Sequence, residues 1–131
     1  AMNAQLARLL DKAKADEAVL SVLLFGSRAR GEEHPGSDID LCLVQAPGAQ
    51  SKSGGTLLRM AYLEENSGPC RVHVFQELPL YVRRRVLKEG VVLFCKDWDA
   101  LYAIACRTAQ AFEDFKPAYR AYLDQVEHGG S

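Results

Sequence analysis

The sequence predicts a small α/β domain: a mixed sheet of about four strands flanked by helices, with further helices at the C-terminal end. Short apolar runs that end in glycine, proline or serine alternate with segments of helical period, which is typical of strands and helices packed in layers. The last third of the chain keeps helical spacing throughout. The length of 131 residues fits one domain, with a cloning remnant or start at 1–2 and a loose tail at 128–131.

Each element follows from a local pattern. Leucines recur at i, i+3 and i+4 in the first helix, the apolar strands are bounded by turn residues, and Pro79 and Gly90 mark the start and end of a helix. In order, we predict a helix at 3–15, strands at 19–25 and 38–44 separated by a short helix at 27–31, a helix at 56–66, a strand at 70–77, a helix at 79–90, a strand at 91–94, and helices at 98–115 and beyond Pro117.

Composition excludes several classes of protein. The formal net charge of −1 argues against a large nucleic-acid surface, so we do not expect nucleic acid as a partner. No secretory signal and no apolar run of about 20 residues is present, so we expect a cytoplasmic protein without a membrane span. The four cysteines have irregular spacing that fits neither a zinc site nor a disulfide framework, and we expect free thiols.

The segment after the first strand carries the first chemical signal. The strand delivers Gly26 and Ser27 to a helix start, where unpaired backbone N–H groups carry partial positive charge. Glycine allows the backbone to approach a ligand closely, and the serine hydroxyl adds a donor. Arg28 and Arg30 can add positive charge beside them. The pattern predicts a phosphate-binding corner.

The second signal is a pair of aspartates on the next strand. Asp38 and Asp40 are two residues apart, so both carboxylates face the same side of the strand. Two such charges repel unless a cation lies between them, and hard oxygen ligands suit Mg²⁺ or Mn²⁺. Metal held between carboxylates and a triphosphate is the arrangement of metal-assisted phosphoryl or nucleotidyl transfer.

Together these residues resemble a known signature. Gly26-Ser27, ten intervening residues and Asp38-Ile39-Asp40 resemble the motif of the DNA polymerase beta-type nucleotidyltransferase superfamily, and the strings G-S-R-A-R-G and S-D-I-D-L resemble its minimal nucleotidyltransferase branch. The resemblance implies ATP as substrate, Mg²⁺ or Mn²⁺, and transfer of AMP to a hydroxyl of a protein or small molecule. It also implies a small helical HEPN-type partner, in an antitoxin–toxin pair. Because a substrate domain is missing, we expect the partner or a homodimer to complete the acceptor site. The implied roles are catalysis and metal binding by Asp38 and Asp40, and nucleotide binding by Gly26, Ser27, Arg28 and Arg30. His73 is a further candidate catalytic residue, although it departs from the pattern.

His73 stands where the resemblance implies a third carboxylate. Three outcomes are open. Neutral imidazole is a base and a metal ligand, so His73 could take the role itself and favour Mn²⁺ over Mg²⁺. Glu77 could substitute, since residues 73, 75 and 77 would share a strand face. The chain could also bind nucleotide and transfer it slowly or not at all.

Three functions therefore compete. The first is a nucleotidyltransferase. The second is a catalytically impaired module that binds nucleotide or partner and acts as antitoxin by contact. The third is a structural α/β domain in which the motif is a coincidence. A separate basic run, Arg83-Arg84-Arg85, is interpreted as a solvated helix face that could also meet an acidic partner surface.

Overall fold

A four-stranded mixed sheet forms the centre of the fold, as predicted. The computed structural model describes residues 4–26, 39–49, 55–63 and 70–128. The elements are α1 (Ala4–Ala15), β1 (Val19–Phe25), β2 (Ile39–Gln45), α2 (Thr56–Ala61), β3 (Cys70–Val74), α3 (Leu80–Glu89), β4 (Val91–Cys95) and α4 (Trp98–His128), with 3-10 turns at Pro47–Ala49 and Phe75–Glu77. The short helix predicted at 27–31 lies outside the described residues.

The strand order is β3-β2-β1-β4. The central strand β1 pairs antiparallel with both β2 and β4, whereas β2 pairs parallel with β3. The parallel pair needs a crossover connection, and α2 lies within it. The arrangement brings the end of β1 and the starts of β2 and β3 to the same end of the sheet.

Helices cover both faces of this sheet, and alternate residues of β2 show the division. Leu41 and Leu43 join a core with α1 and α2, whereas Cys42 and Val44 face the opposite core with α3 and α4. Burying one aliphatic side chain contributes about 1.5–3 kcal/mol, so both cores stabilise the sheet. The first core includes Leu9, Ala13, Leu58, Tyr62 and Val72, and the second includes Leu23, Phe75, Val86, Leu101 and Ile104.

The third strand ends at Val74, three residues before the predicted end. The side-chain amide of Gln76 explains the early end, because it replaces a strand partner for the main chain of Gln45. The backbone N–H of Gln45 donates to Gln76 Oε1 at 3.0 Å, and Gln76 Nε2 donates to the Gln45 carbonyl at 3.3 Å. The chain then turns through Phe75–Glu77.

Helix α2 ends at Ala61, earlier than predicted. Its helical pattern predicts that Leu57, Leu58 and Ala61 face inward, and Met60 with them. Leu58 is buried as predicted, and Tyr62, one helical turn further on, is buried with it. Leu57 and Met60 are 63% and 55% exposed, and Ala61 is exposed as well. The hydroxyl of Tyr62 donates to Asp16 Oδ2 at 2.9 Å, which ties the end of α2 to the loop after α1.

The C-terminal helix α4 is continuous from Trp98 to His128 and contains Pro117. We expected a kink or a new helix start at this proline, because it lacks the N–H that would complete an intrahelical hydrogen bond. The helix runs through it. None of the helices in the described part of the chain combines the length and apolar character that a bilayer span needs.

The face that α2 buries can be tested with two adjacent leucines. We expect Leu58→Ala to lower the free energy of unfolding by about 2–3 kcal/mol, because it leaves a cavity in the first core. The matched control Leu57→Ala removes the same atoms from an exposed position and should change it by no more than about 0.5 kcal/mol. Urea denaturation of the two variants measures the difference. Equal losses in both would contradict the helix orientation.

Candidate active site

The predicted site residues divide between described and undescribed parts of the chain. Gly26, Asp40 and His73 belong to the described residues, and the structure brings them together at one end of the sheet. The other four, Ser27, Arg28, Arg30 and Asp38, lie outside the described residues.

The contact between Gly26 and Asp40 follows from the pairing of β1 with β2. The register places Phe25 opposite Asp40, so Gly26 follows directly beside the aspartate. A Cβ atom added at Gly26 would lie 2.8 Å from Asp40 Oδ2. The backbone of Gly26 also has φ +87°, a conformation that side chains rarely tolerate. Glycine is therefore required here both for its conformation and for the close approach of the carboxylate.

His73 extends this site from the neighbouring strand. The parallel register aligns His73 with Cys42 and Arg71 with Asp40, so the imidazole reaches back diagonally along the same sheet face. Its Nε2 atom lies 3.2 Å from Asp40 Oδ1 and donates to that oxygen when it carries the proton. The side chains are 36% exposed for His73 and 28% for Asp40. Both groups are thus open to solvent and to a ligand.

Phe25 supports the imidazole and was missed in the sequence analysis. The rings of Phe25 and His73 meet edge to face, with centroids 5.3 Å apart and an angle of 68° between planes. Such contacts restrict the ring orientation and contribute about 0.5–1.5 kcal/mol. The position of Phe25 at the end of a buried strand, directly before Gly26, was the available signal. Its contact with His73 depends on strands that are distant in sequence.

Cys42 lies on the same sheet face as Asp40 and His73, and its thiol is unreactive. It is fully buried at the position aligned with His73. Burial raises the pKa of the Cys42 thiol far above its usual range, since the charged thiolate cannot be solvated there. The thiol therefore stays protonated and serves as packing rather than as nucleophile or metal ligand.

The idea that Glu77 replaces a missing carboxylate is wrong. It requires residues 73, 75 and 77 to share a strand face, but β3 ends at Val74 and Glu77 lies in the following 3-10 turn. The carboxylate of Glu77 accepts from Arg59 Nε of α2 at 3.1 and 3.2 Å. Since α2 packs on the opposite face of the sheet, Glu77 belongs to a structural ion pair.

A small cavity opens beside Gly26. It has a volume of about 120 Å³ and lies between the end of β1 and helix α3. Arg85 and Glu89 line it and form an i,i+4 ion pair of 3.8 Å. A ligand held at Gly26 would thus meet both apolar and charged groups of α3. The lining residues are Phe25, Gly26, Val82, Arg85, Val86 and Glu89.

The donor set fits a divalent cation in part. Asp40 supplies hard carboxylate oxygens, and His73 places an imidazole nitrogen next to one of them. Among the described residues, no group of three acidic, histidine or cysteine side chains is gathered tightly enough to hold a metal. Further ligands would have to come from Asp38 or from the substrate. A site with one oxygen and one nitrogen donor suits Mn²⁺ better than Mg²⁺, because Mg²⁺ prefers oxygen ligands.

A comparison with models of protein families identifies the family to which this chain belongs. The family model "Polymerase beta, Nucleotidyltransferase" matches residues 7–99, which cover α1 through β4 and include the whole site. The chain belongs to this nucleotidyltransferase family. This match confirms the resemblance that was inferred from the motif. It also agrees with the predicted fold, a mixed sheet flanked by helices.

A curated relative and several solved structures resemble this nucleotidyltransferase. A candidate protein adenylyltransferase of Methanocaldococcus jannaschii is 34% identical over 79 residues, which are 58% of this chain and 56% of that relative. The chain therefore matches little more than half the length of this curated relative. Among solved structures, a chain from a toxin–antitoxin complex with AMP-PNP has TM-score 0.69 at 19% identity, covering 94% of this chain and 96% of that one.

A chain from the complex of a tri-AMPylated Shewanella oneidensis HEPN toxin with its MNT antitoxin shares the same fold. It has TM-score 0.61 at 17% identity, covering 92% of this chain and 94% of that one. At such identities the structural likeness establishes the fold of the nucleotidyltransferase domain and leaves its substrate open.

The need for glycine at position 26 can be tested by two matched substitutions. We expect Gly26→Ala to lower the free energy of unfolding by about 1–2 kcal/mol, because it strains a positive-φ backbone and pushes against Asp40. Gly48→Ala is the control, since an added Cβ there meets nothing within 4 Å. It should be neutral or stabilise by up to about 1 kcal/mol. Thermal and denaturant unfolding measure both, and equal effects would count against the close contact.

Proposed function

We propose that this chain is a metal-dependent nucleotidyltransferase that takes ATP and transfers AMP to a hydroxyl of a helical HEPN-type partner protein, acting as its antitoxin. The observation that carries the proposal is the position of the Asp40 carboxylate. It lies against the Gly26 backbone at the end of β1, with His73 Nε2 3.2 Å away. A charged group is thereby held at the point where the motif predicts metal-bound phosphate.

In this proposal the two aspartates hold the cation and the glycine-serine corner holds phosphate. Asp38 and Asp40 would bind Mg²⁺ or Mn²⁺, while the backbone after Gly26 and the hydroxyl of Ser27 would contact the triphosphate. Arg28 and Arg30 would add positive charge beside it. When bound, the cation neutralises phosphate charge and orients the α-phosphate.

The transfer itself exchanges one phosphorus–oxygen bond for another. The acceptor hydroxyl oxygen forms a bond to the α-phosphorus, the bond to the β-phosphate oxygen breaks, and pyrophosphate leaves. The hydroxyl proton must go to a base. His73 is positioned for that role because a neutral imidazole is a base and its Nε2 lies beside the Asp40 carboxylate.

The choice of acceptor rests on the relatives. The adenylyltransferase name of the M. jannaschii protein and the AMPylated HEPN toxin in the S. oneidensis complex both support a protein hydroxyl as acceptor. The formal charge of −1 argues against a polymerase, which needs a basic surface to hold nucleic acid.

Labelled ATP tests the transfer directly. The chain is incubated with ATP labelled on the α-phosphate, Mg²⁺ or Mn²⁺, and a HEPN-type protein encoded beside it. We expect label on the partner, and Asp40→Asn should reduce the rate by about 100-fold or more because it removes a metal ligand. Leu57→Ala, which alters an exposed side chain on the other face of the sheet, serves as the unaffected control.

A second candidate function is neutralisation of the partner by contact alone. It is favoured by a single observation: the side chain that lies beside Asp40 on the neighbouring strand is an imidazole and not a carboxylate, so the site carries less negative charge to hold a metal. Tight complex formation that persists in Asp40→Asn, with no label on the partner under either metal, would support this function and overturn the transfer.

The role of His73 separates these two functions. If His73 acts as base or ligand, His73→Ala should slow transfer by about 100-fold, the usual contribution of a positioned base. His73→Asp should restore activity and shift the metal preference from Mn²⁺ toward Mg²⁺, since it replaces a nitrogen donor with oxygen. The ratio of initial rates in the two metals measures this shift. Unchanged rates in His73→Ala would remove His73 from the mechanism.

A further inference from the structure

The three consecutive arginines of α3 do not form one solvated face. Successive residues of a helix point about 100° apart, so each guanidinium has a different environment. Arg84 lies over the Phe112 ring, with its guanidinium carbon 4.7 Å from the ring centroid. Arg85 lines the cavity beside Gly26. Arg83 lines a separate, larger cavity between α3 and α4. The basic run is therefore divided among three local sites.

The larger cavity has a volume of about 240 Å³. The 3-10 turn after β3 forms one side of it, and α3 and α4 form the others. It is many times larger than the space that one water molecule requires. Its wall combines apolar side chains with two arginines. The lining residues are Phe75, Gln76, Arg83, Ile104, Arg107, Thr108 and Ala111.

The neutral polar groups of this cavity already have partners. The amide of Gln76 pairs with the main chain of Gln45, and the Thr108 hydroxyl donates to the Ile104 carbonyl at 2.8 Å. The guanidinium groups differ. Arg83 Nε is buried and has no hydrogen-bond acceptor in the described part of the chain. Within those residues, neither Arg83 nor Arg107 forms an ion pair with a carboxylate.

A buried donor without an acceptor and two like charges facing one cavity both disfavour the empty state. An anion in the cavity offsets the two positive charges and can accept hydrogen bonds from the guanidinium groups that line it. We propose that Arg83 and Arg107 form an anion-binding site for a phosphate-type group. Two planar guanidinium forks offer more donors than the two oxygens of one carboxylate can accept, and they match the oxygens of a phosphate.

This site is separate from the candidate active site. Arg83 and Arg85 are two residues apart on a helix, so their side chains leave α3 on nearly opposite sides. The cavity beside Gly26 and the cavity at Arg83 share no lining residue. The inference therefore stands independently of the proposed transfer. A phosphate-type ligand at Arg83 needs no divalent metal, whereas ATP at Asp40 would.

Anion titration without metal tests the site. The full chain is titrated with inorganic phosphate, pyrophosphate and AMP in the presence of EDTA, and the Nε–Hε signals of the arginines are followed by NMR. We expect the Arg83 signal to shift and saturate. Arg83→Gln or Arg107→Gln should weaken binding by about tenfold, the usual effect of losing a charge-assisted hydrogen bond.

Arg8→Gln provides the matched control, since it removes the same charge from an exposed position on α1, on the other side of the sheet. Its affinity should equal that of the unaltered chain. Comparable binding of phosphate and AMP would assign the site to a single phosphoryl group, and a preference for pyrophosphate to a diphosphate.

Folding of the variants is checked by thermal melting. If Arg83→Gln fails to fold, Arg107→Gln decides the question, because Arg107 is exposed and its loss should leave the core intact. Saturable binding that needs both arginines supports the proposal. The absence of binding, or equal weakening by Arg8→Gln, overturns it, and neither result depends on whether AMP transfer is observed.

Discussion

The antiparallel register between β1 and β2 is the constraint on which the candidate site depends. It places Phe25 opposite Asp40, so the next residue, Gly26, meets the carboxylate at a distance that only glycine allows. Without this register, the turn that the motif predicts to bind phosphate and the carboxylate predicted to bind metal would be two unconnected features. The parallel pairing of β2 with β3 then adds His73 to the same face. Three segments distant in sequence thus meet at one sheet end because their backbone pairing leaves no alternative.

Helix α3 packs on the same sheet face as the candidate site. Its Val86 is buried in the second core, so the helix is held firmly against the strands. From that position its arginines serve different surroundings: Arg85 beside Gly26, Arg84 over Phe112, and Arg83 in the larger cavity. The burial of Val86 fixes the orientation of α3 and therefore determines where its three arginines lie. The arrangement distributes the positive charge of one short run over three separate surroundings.

Local patterns were sufficient to predict the four strands, because each is an apolar run bounded by turn residues. The end of β3 was not predictable, since it depends on the amide of Gln76 reaching the main chain of Gln45. The inward face of α2 was predicted only in part: Leu58 is buried as expected, but Leu57 and Met60 are exposed, because Tyr62 at the end of the helix is drawn in by Asp16. For the site, motif spacing indicated Gly26 and Asp40. The contacts of Phe25 and Arg83 arise only from tertiary packing, which periodicity does not describe.

The position of β1 at the centre of the sheet has a consequence for how the chain folds. β1 pairs on one side with β2, which follows soon after, but on the other side with β4, so that Val22 must find Phe94. Contacts so far apart form late, since a long loop must close first. During synthesis, one edge of β1 stays open until β4 has emerged. An early docking of α1 over this strand would shield its apolar face during that interval.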